Sequence, residues 1–346
     1  MKRPIRNIIW IILLILGNTS CIEFFHPDIN NIETKYVVDG VITDQEGFQT
    51  VLLSSTSDVE VCKYNPLPYC KIFITDDLGN IFNLTEAIPG TYKVWMGKEY
   101  LVPGRSYKIN ITTPSGIEIV SDYDQMYECP KVDSVYYIRK NVQTSNSLIV
   151  KQGIQFYVDI DGRSTNTSFY RWELNETWEH HAPASPASIC WTTKKLNDIY
   201  ILSTKKLTQN IYTRFPFHFV DNQTQRLNYC YSLLITQFAI SEPAYEFWNK
   251  LRINSSELDG LYSTQPLRIK GNLKSTTNPE LDILGFFSAT SKKSKRIFVQ
   301  NVPDLEIIDP ICIPDVLPNG VIVIGPSCTD CAYWDGSTDK PKFWPY

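Results

Sequence analysis

The sequence predicts a mainly β protein. It should comprise an N-terminal immunoglobulin-like or transthyretin-like β-sandwich, a second β-rich domain with one helix, and an irregular, cysteine-containing C-terminal tail. Three observations support this class. Aromatic residues, which favour strands, are abundant, with 20 Tyr, 16 Phe and 8 Trp among 346 residues. Short runs of alternating apolar and polar residues are separated by regular turn signals. Only one stretch has clear helical spacing.

Residues 1–21 have the layout of a bacterial signal peptide. Three basic residues precede the apolar run Ile8–Leu16, and four small or polar residues lead to Cys21. The run is shorter than the roughly 20 residues that span a bilayer. Because bacterial lipoproteins are cleaved before such a cysteine and acylated on it, we expect Cys21 to be lipidated, although Asn18 stands where Leu is usual and leaves the efficiency of processing open. The alternative is an ordinary signal peptide with Cys21 incidental. Residues 22–35 are polar and are predicted to be a short tether between the lipid and the fold.

Residues 36–129 are predicted to form the β-sandwich. Turn sequences such as Pro89-Gly90 and Pro103-Gly104 separate short apolar runs at regular intervals. Within Ser106–Thr113, polar and apolar residues alternate, which is the period of a half-buried strand. A series of short strands with regular turns is typical of immunoglobulin-like and transthyretin-like sandwiches.

Residues 130–302 are predicted to form the second β-rich domain. The stretch Tyr170–Trp178 alternates, with its large apolar side chains on one face. Ser241 is a suitable N-cap, and Pro243 fits the first turn of a helix that continues with apolar residues at helical spacing. Residues 303–346 form a proline-containing tail in which the hydrophobic periodicity of strands and of helices is weak. We expect crosslinks and aromatic packing against the folded body to order it.

Eight of the nine cysteines remain if Cys21 is lipidated, and an even number in an exported protein predicts structural disulfides. Two local pairings stand out: Cys62 with Cys70, which bracket a proline-containing loop, and Cys328 with Cys331. No helix is expected after Cys331, which argues against a redox Cys-x-x-Cys site. A zinc site is the alternative, although Cys312 supplies only a third ligand. The remaining connectivity is open, and the candidates are Cys62, Cys70, Cys190, Cys230, Cys312, Cys328 and Cys331.

Other motifs favour structural roles. His180 and His181 would point to opposite faces of a strand, so they cannot bind one metal together, and a polar strand edge is the prediction. The stretch Asp159–Gly162 lacks the third acid and the distal Glu of a calcium loop and is predicted to be a turn. The basic run Lys292–Arg296 lies between two candidate strands, which predicts a solvated hairpin tip, with contact to lipid phosphates or acidic sugars as the alternative. The sequence therefore indicates no catalytic residue, no metal site and no cofactor.

Several stretches of the chain resemble a known lipoprotein family. They are Lys35–Thr43, Tyr170–Glu173 with Cys190-Trp191 downstream, Tyr229–Leu251 followed by Gly271-Asn272, and Cys328–Cys331 with the closing Lys340–Trp344. Their order is similar to that in the family catalogued as domain of unknown function 4249 (DUF4249). The resemblance implies a Gram-negative outer-membrane lipoprotein without assigned enzymatic activity, whose members tend to be encoded beside TonB-dependent receptors. In related bacteria, Asp-Ser or Asp-Thr followed by an aliphatic residue accepts an O-glycan, and Ser134 lies in such a pattern.

Together with this resemblance, the observations predict a non-enzymatic accessory or binding lipoprotein of the outer membrane, located at the cell surface and docked on a TonB-dependent transporter. The net charge of −4 argues against general nucleic-acid binding. A carbohydrate-binding or carbohydrate-active protein is one alternative, and it would require exposed tryptophans beside a cleft with two carboxylates. A structural envelope lipoprotein is another. The ligand, the partner's identity and the membrane face, with the periplasmic face as the alternative, are not readable from the sequence.

Overall fold

The alternation of polar and apolar residues produces strands throughout the described part of the chain. The computed structural model describes residues 35–57, 63–144, 150–182, 188–257, 269–306, 315–326 and 329–345. The first nine strands are β1 (Tyr36–Thr43), β2 (Gly47–Ser55), β3 (Asn65–Pro66), β4 (Lys71–Asp76), β5 (Ile81–Ile88), β6 (Thr91–Met96), β7 (Ser106–Thr112), β8 (Glu118–Ser121) and β9 (Asp124–Gln125). The later elements are β10 (Ser134–Gln143), β11 (Val150–Asp161), β12 (Phe169–Ala182), β13 (Ser188–Lys195), β14 (Tyr200–Ser203), β15 (Ile211–Asp221), β16 (Cys230–Ala239), helix α1 (Glu242–Glu257), β17 (Leu273–Ser275), β18 (Ile283–Gln300), β19 (Asp315–Val316) and β20 (Ile322–Val323). The predicted mainly β class is confirmed.

The first unit is one curved path of strands around a hydrophobic core. From β18 the path runs through β1, β2, β6, β5, β4, β7 and β8 to β17. The neighbours are antiparallel, except that β1 and β18 are parallel. Inward side chains such as Ile42, Leu53, Ile74 and Phe287 are buried in this core. Burial of each such side chain stabilises the fold by about 1.5–3 kcal/mol, which explains why the inward faces of β1, β2, β4 and β7 are mostly apolar.

The first unit includes a segment from much later in the chain. The sequence prediction ended this unit at residue 129 and assigned residues 130–302 to the second. In the structure, β17 pairs with β8, and the first half of β18 pairs with β1. The chain therefore returns to complete the first unit, a long-range pairing that local patterns do not contain. At the contact with β1, Gly285 has φ +97°, and a Cβ there would lie 1.9 Å from the carbonyl oxygen of Val38, so only glycine fits.

The second unit is a sandwich of two sheets. The sheet β10-β11-β15 lies on one side, and β13, β12, β16 and the second half of β18 lie on the other. Phe156 and Ile154 from the first sheet pack with Trp172, Tyr231 and Leu233 from the second. Trp172 is 1% exposed, so the predicted inward face of β12 is confirmed.

Helix α1 covers the junction between the two units. The Ser241 hydroxyl accepts a hydrogen bond from the Ala244 backbone N–H at 3.3 Å, which is the predicted N-cap. Phe247 packs on Phe286 of β18, with ring centroids 5.2 Å apart, and Phe238 of β16 joins the same cluster. No helix within the described ranges has the length and apolarity needed to cross a bilayer.

The basic run Lys292–Arg296 lies inside β18, so the prediction of a hairpin tip is wrong. The Lys292 backbone N–H donates to Asp44 at 2.9 Å, the Lys295 ammonium donates to the Asp133 carbonyl at 2.6 Å, and the Arg296 guanidinium donates to Ser232 at 2.9 Å. These individual partners let a charged stretch continue as a strand.

Candidate functional site

A disulfide joins the second unit to the tail. Cys190 of β13 is bonded to Cys331 across 141 residues, with the two Cα atoms 5.5 Å apart. Cys331 begins a 3-10 helix, Cys331–Trp334. Backbone hydrogen bonds in both directions between Trp191 and Ser337 place this part of the tail against the edge of β13.

Aromatic and polar contacts hold the rest of the described tail. Trp344 packs edge-on against Phe298 with ring centroids 5.8 Å apart, and its Nε1 donates to Glu179 at 3.1 Å. The Thr192 hydroxyl donates to the Trp334 carbonyl at 3.1 Å. These contacts order a segment that has weak strand and helix periods of its own.

The two local cysteine pairings predicted from the sequence are wrong. Cys331 is bonded to Cys190 and not to Cys328, because the 3-10 helix docks on β13. Cys70 is a free thiol, 9% exposed, that packs in the core of the first unit instead of bonding to Cys62.

Cys129 and Cys230 are buried thiols of low reactivity. Burial raises the pKa of Cys129 to about 12 and that of Cys230 to about 11. Because the thiolate is the reactive form, these side chains are poor nucleophiles. Cys230, a disulfide candidate, is a free thiol here. The cysteines that lie outside the described residues are Cys21, Cys62, Cys312 and Cys328.

The predicted histidine pair is split between two environments. His181 contacts Glu179 at 2.9 Å and stacks on Tyr229, whereas His180 is 1% exposed and lies opposite Cys190. Burial lowers the pKa of His180. The prediction of opposite faces is confirmed, but His180 belongs to the interior and not to a polar edge. Within the described ranges, no group of three or more His, Cys, Asp or Glu side chains is arranged to hold a metal ion.

Two further predicted positions lie on the surface of the second unit. Ser134 is exposed at the start of β10. Asp161 binds Arg163 two residues later, at 2.9 Å between Oδ1 and Nε, so the end of β11 continues into the predicted turn. Asp159 accepts a hydrogen bond from the Arg214 backbone N–H at 2.8 Å.

One end of the first unit carries an exposed aromatic surface. We define the aromatic edge as Phe48, Ile81, Phe82, Trp95 and Tyr100. Phe48 and Trp95 are opposite each other on β2 and β6, with ring centroids 5.3 Å apart, and are 66% and 57% exposed.

A shallow depression continues this surface. Ile81, Phe82, Trp95 and Tyr100 line it, together with the acidic side chains of Glu46 and Glu99. Phe82 and Tyr100 pack edge-to-face, with centroids 5.1 Å apart. Contiguous exposed apolar surface rimmed by polar groups is a mark of interaction sites. Alternation along β2 and β6 predicts an outward face but does not show that aromatic side chains from both strands meet there.

A charged cleft of about 310 Å³ lies between the two units. Arg171 of β12 donates to Glu173 at 2.8 Å, and its guanidinium lies 4.3 Å from the ring centroid of Trp248 on α1. The Lys195 ammonium is 3.2 Å from the other oxygen of Glu173. Although burial raises the pKa of Glu173, Arg171 and Lys195 lower it overall. Asp39 of β1 also lines this cleft, and desolvation raises its pKa against the opposing charges.

The Glu173 and Asp39 carboxyl groups of this cleft therefore differ in the direction of their pKa shifts. Glu173 is ionised and engaged by two cations, which leaves it poorly suited to act as a base or nucleophile. The stacked Arg171 and Trp248 join β12 to the helix that covers the junction. We interpret the charged cleft as a contact that fixes the two units together.

These features define a β-rich protein of two packed units with a disulfide-linked tail and an exposed aromatic edge. The model of the family described as domain of unknown function (DUF4249) matches residues 22–296, and the chain belongs to this family. No match to a curated protein was found.

Proposed function

We propose that this protein is an outer-membrane lipoprotein, anchored through Cys21, that serves as a non-enzymatic accessory partner of a TonB-dependent outer-membrane transporter. The observation that carries this proposal is the aromatic edge, which offers a docking surface for another protein. The choice of a transporter rests on the resemblance of the sequence to lipoproteins encoded beside such receptors. The cell surface is the proposed location.

The composition of the aromatic edge supports docking to a protein. Tryptophan and other aromatic residues are enriched at the centres of interfaces, where they contribute most of the binding energy, while polar residues form the rim. Here Trp95 and Phe48 form the aromatic centre, and Glu46 and Glu99 form the polar rim. Exposure of such large apolar side chains disfavours the isolated protein in water, so a partner that covers them gains the hydrophobic free energy.

The position of the aromatic edge also supports this function. The described chain enters β1 at Tyr36, and Phe48 lies beside Thr43 at the other end of this strand, since Val41 pairs with Thr50. Eight residues of strand span roughly 23 Å at about 3.3 Å per residue. The start of β1 and the aromatic edge therefore lie at different ends of this strand.

A photocrosslinking experiment in the native envelope tests this function. A photoreactive phenylalanine analogue replaces Trp95, cells are irradiated, and the tagged protein is purified under denaturing conditions for mass spectrometry. We expect a crosslinked outer-membrane β-barrel receptor. Recovery of the same receptor in mild detergent should fall about 30-fold with Trp95→Ser, as for a hot-spot residue worth about 2 kcal/mol.

Strand β5 offers a matched control. Ile81 and Ile88 are 60% and 65% exposed, but only Ile81 lies at the aromatic edge. Ile81→Ser should reduce receptor recovery, whereas Ile88→Ser should leave it unchanged. Absence of any barrel protein among the crosslinked products, or equal losses for the two isoleucine variants, would refute the proposed docking.

A further inference from the structure

A second cleft, which we call the tail cleft, lies where the tail docks on the second unit. It has a volume of about 350 Å³, within the usual range for small-ligand sites. Trp178 of β12 and Trp334 of the tail both line it. Trp334 is brought there by the 3-10 helix that begins at the disulfide-bonded Cys331. The tail thus contributes one of the two indoles of this cleft.

The tail cleft contains buried polar atoms without a protein partner. Gln225 is 5% exposed, and neither its Nε2 nor its Oε1 has a hydrogen-bond partner among the described residues. The hydroxyl of the adjacent Thr224 is likewise buried without one. Both residues line the cleft. A buried amide that makes no hydrogen bond destabilises the fold, so a ligand that reached this amide from the cleft would satisfy its donor and its acceptor.

The charged residues that line the tail cleft have partners of opposite charge. Glu176 accepts from Arg226 at 3.4 Å and from the Tyr231 hydroxyl at 3.0 Å. The Lys194 ammonium lies 3.2 Å from Asp335. These pairs leave the amide and hydroxyl groups as the available polar partners, which favours an uncharged ligand over an anion or a cation.

We propose that the tail cleft binds a neutral saccharide unit. A sugar ring presents an apolar face of C–H groups, which packs on a flat aromatic side chain such as Trp334, whereas Trp178 is 8% exposed and borders the cleft. The sugar ring also presents a rim of hydroxyls, each of which both donates and accepts. With its side chain turned toward the cleft, the Gln225 amide, which has one donor group and one acceptor, can engage two neighbouring hydroxyls at once, and the Thr224 hydroxyl can engage a third. This site is separate from the aromatic edge and does not depend on the transporter proposal.

Titration of the purified, oxidised mature chain in detergent tests the saccharide site. The probes are maltotriose, cellotriose, laminaritriose and mannotriose, and the readout is tryptophan fluorescence confirmed by calorimetry. We expect at least one trisaccharide to bind saturably at micromolar to millimolar concentration. Gln225→Met should weaken this binding at least tenfold while the melting temperature stays equal to or above that of wild type, because the replaced amide makes no protein hydrogen bond. If Gln225 were purely structural, the variant would bind the saccharide as well as wild type and would melt at a lower temperature.

Two tryptophan variants complete the test. Trp334→Ala should weaken saccharide binding at least tenfold, whereas Trp95→Ala, which changes an exposed tryptophan on the aromatic edge, should leave it unchanged. The same Trp95→Ala variant should lose the transporter partner, so failures of the two proposals are distinguishable. Absence of saturable binding by all four trisaccharides, or unchanged binding by Gln225→Met, would overturn the site. Saturation by tetraalanine and by no saccharide would overturn it in favour of a peptide site.

Discussion

Replacement of both Cys190 and Cys331 by alanine removes the crosslink between β13 and the tail without leaving a lone thiol. The bond closes a loop across 141 residues, and the loop-closure entropy of the unfolded chain for that length corresponds to about 5 kcal/mol at 25 °C. For the roughly 325 residues that follow Cys21, this loss lowers the melting temperature by roughly 7 °C. The side chains are 0% and 7% exposed, so alanine fits both positions.

Scanning calorimetry of the oxidised wild type and the double variant measures this effect, and amide hydrogen exchange of residues 329–345 reports on the tail. We expect a lower melting temperature and faster exchange in the tail. Cys70→Ala is the matched control, because it replaces a buried cysteine that forms no disulfide, and its shift should stay within about 2 °C. Unchanged melting and unchanged tail exchange in the double variant would refute the reasoning and leave the contacts of Trp344 and Thr192 as sufficient.

Two further predictions concern Arg171 at the junction between the units and Asp124 of β9. Arg171→Leu should reduce the free energy of unfolding by about 2 kcal/mol, because it removes a mostly buried charge that pairs with Glu173 and stacks on Trp248. Lys195→Met, which removes a 58% exposed partner of the same Glu173, should reduce it by less than about 1 kcal/mol; equal losses in urea titrations would contradict the role of stacking. Burial raises the pKa of Asp124 from 3.8 to about 6, so the folded protein binds this proton more tightly than the unfolded chain. The stability from Asp124 is complete below pH 3.8 and is lost as the pH rises through about 6, by about 3 kcal/mol in total. Asp124→Asn should remove that loss, and parallel pH profiles of the two proteins would show that Asp124 does not titrate in this way.

Local sequence patterns predict the elements whose environment is set by near neighbours. The inward face of β12 follows from simple alternation, and Trp172 is indeed core. Helix α1 begins where Ser241 and Pro243 indicate, because capping depends on residues within one turn. In both cases the determining contacts lie within a few positions of the residue itself.

Local sequence patterns do not specify which distant strands pair with each other. β1 pairs in parallel with the first half of β18, and Tyr36 lies opposite Ile283. Nothing in either stretch specifies the other, since both are apolar strands that would suit several neighbours. The same limit explains the basic run in β18, whose partners Asp44 and Asp133 come from the other unit and from the segment that follows it.

The candidate sites were predictable only in their residue types. Disulfides were expected from the cysteine count, but the partner of Cys331 was set by the docking of the tail on β13. Aromatic abundance predicted both strands and a contact surface, and burial distinguishes Trp172 in the core from Trp95 at the aromatic edge. Gln225 has no signal in the sequence, because its importance rests on hydrogen bonds that it does not make within the fold.

Strand β18 runs through both units. Residues Ile283–Thr290 pair with β1, and Ser291–Gln300 pair with β16. This strand of 18 residues spans about 56 Å at about 3.3 Å per residue, and α1 packs over its first half through Phe286. A hinge between the units would have to bend this strand where its partner changes, because the connection is a shared strand and not a flexible loop. A partner that covers the aromatic edge of the first unit would therefore hold the tail cleft of the second at a fixed distance, and a saccharide in that cleft would be presented in one orientation.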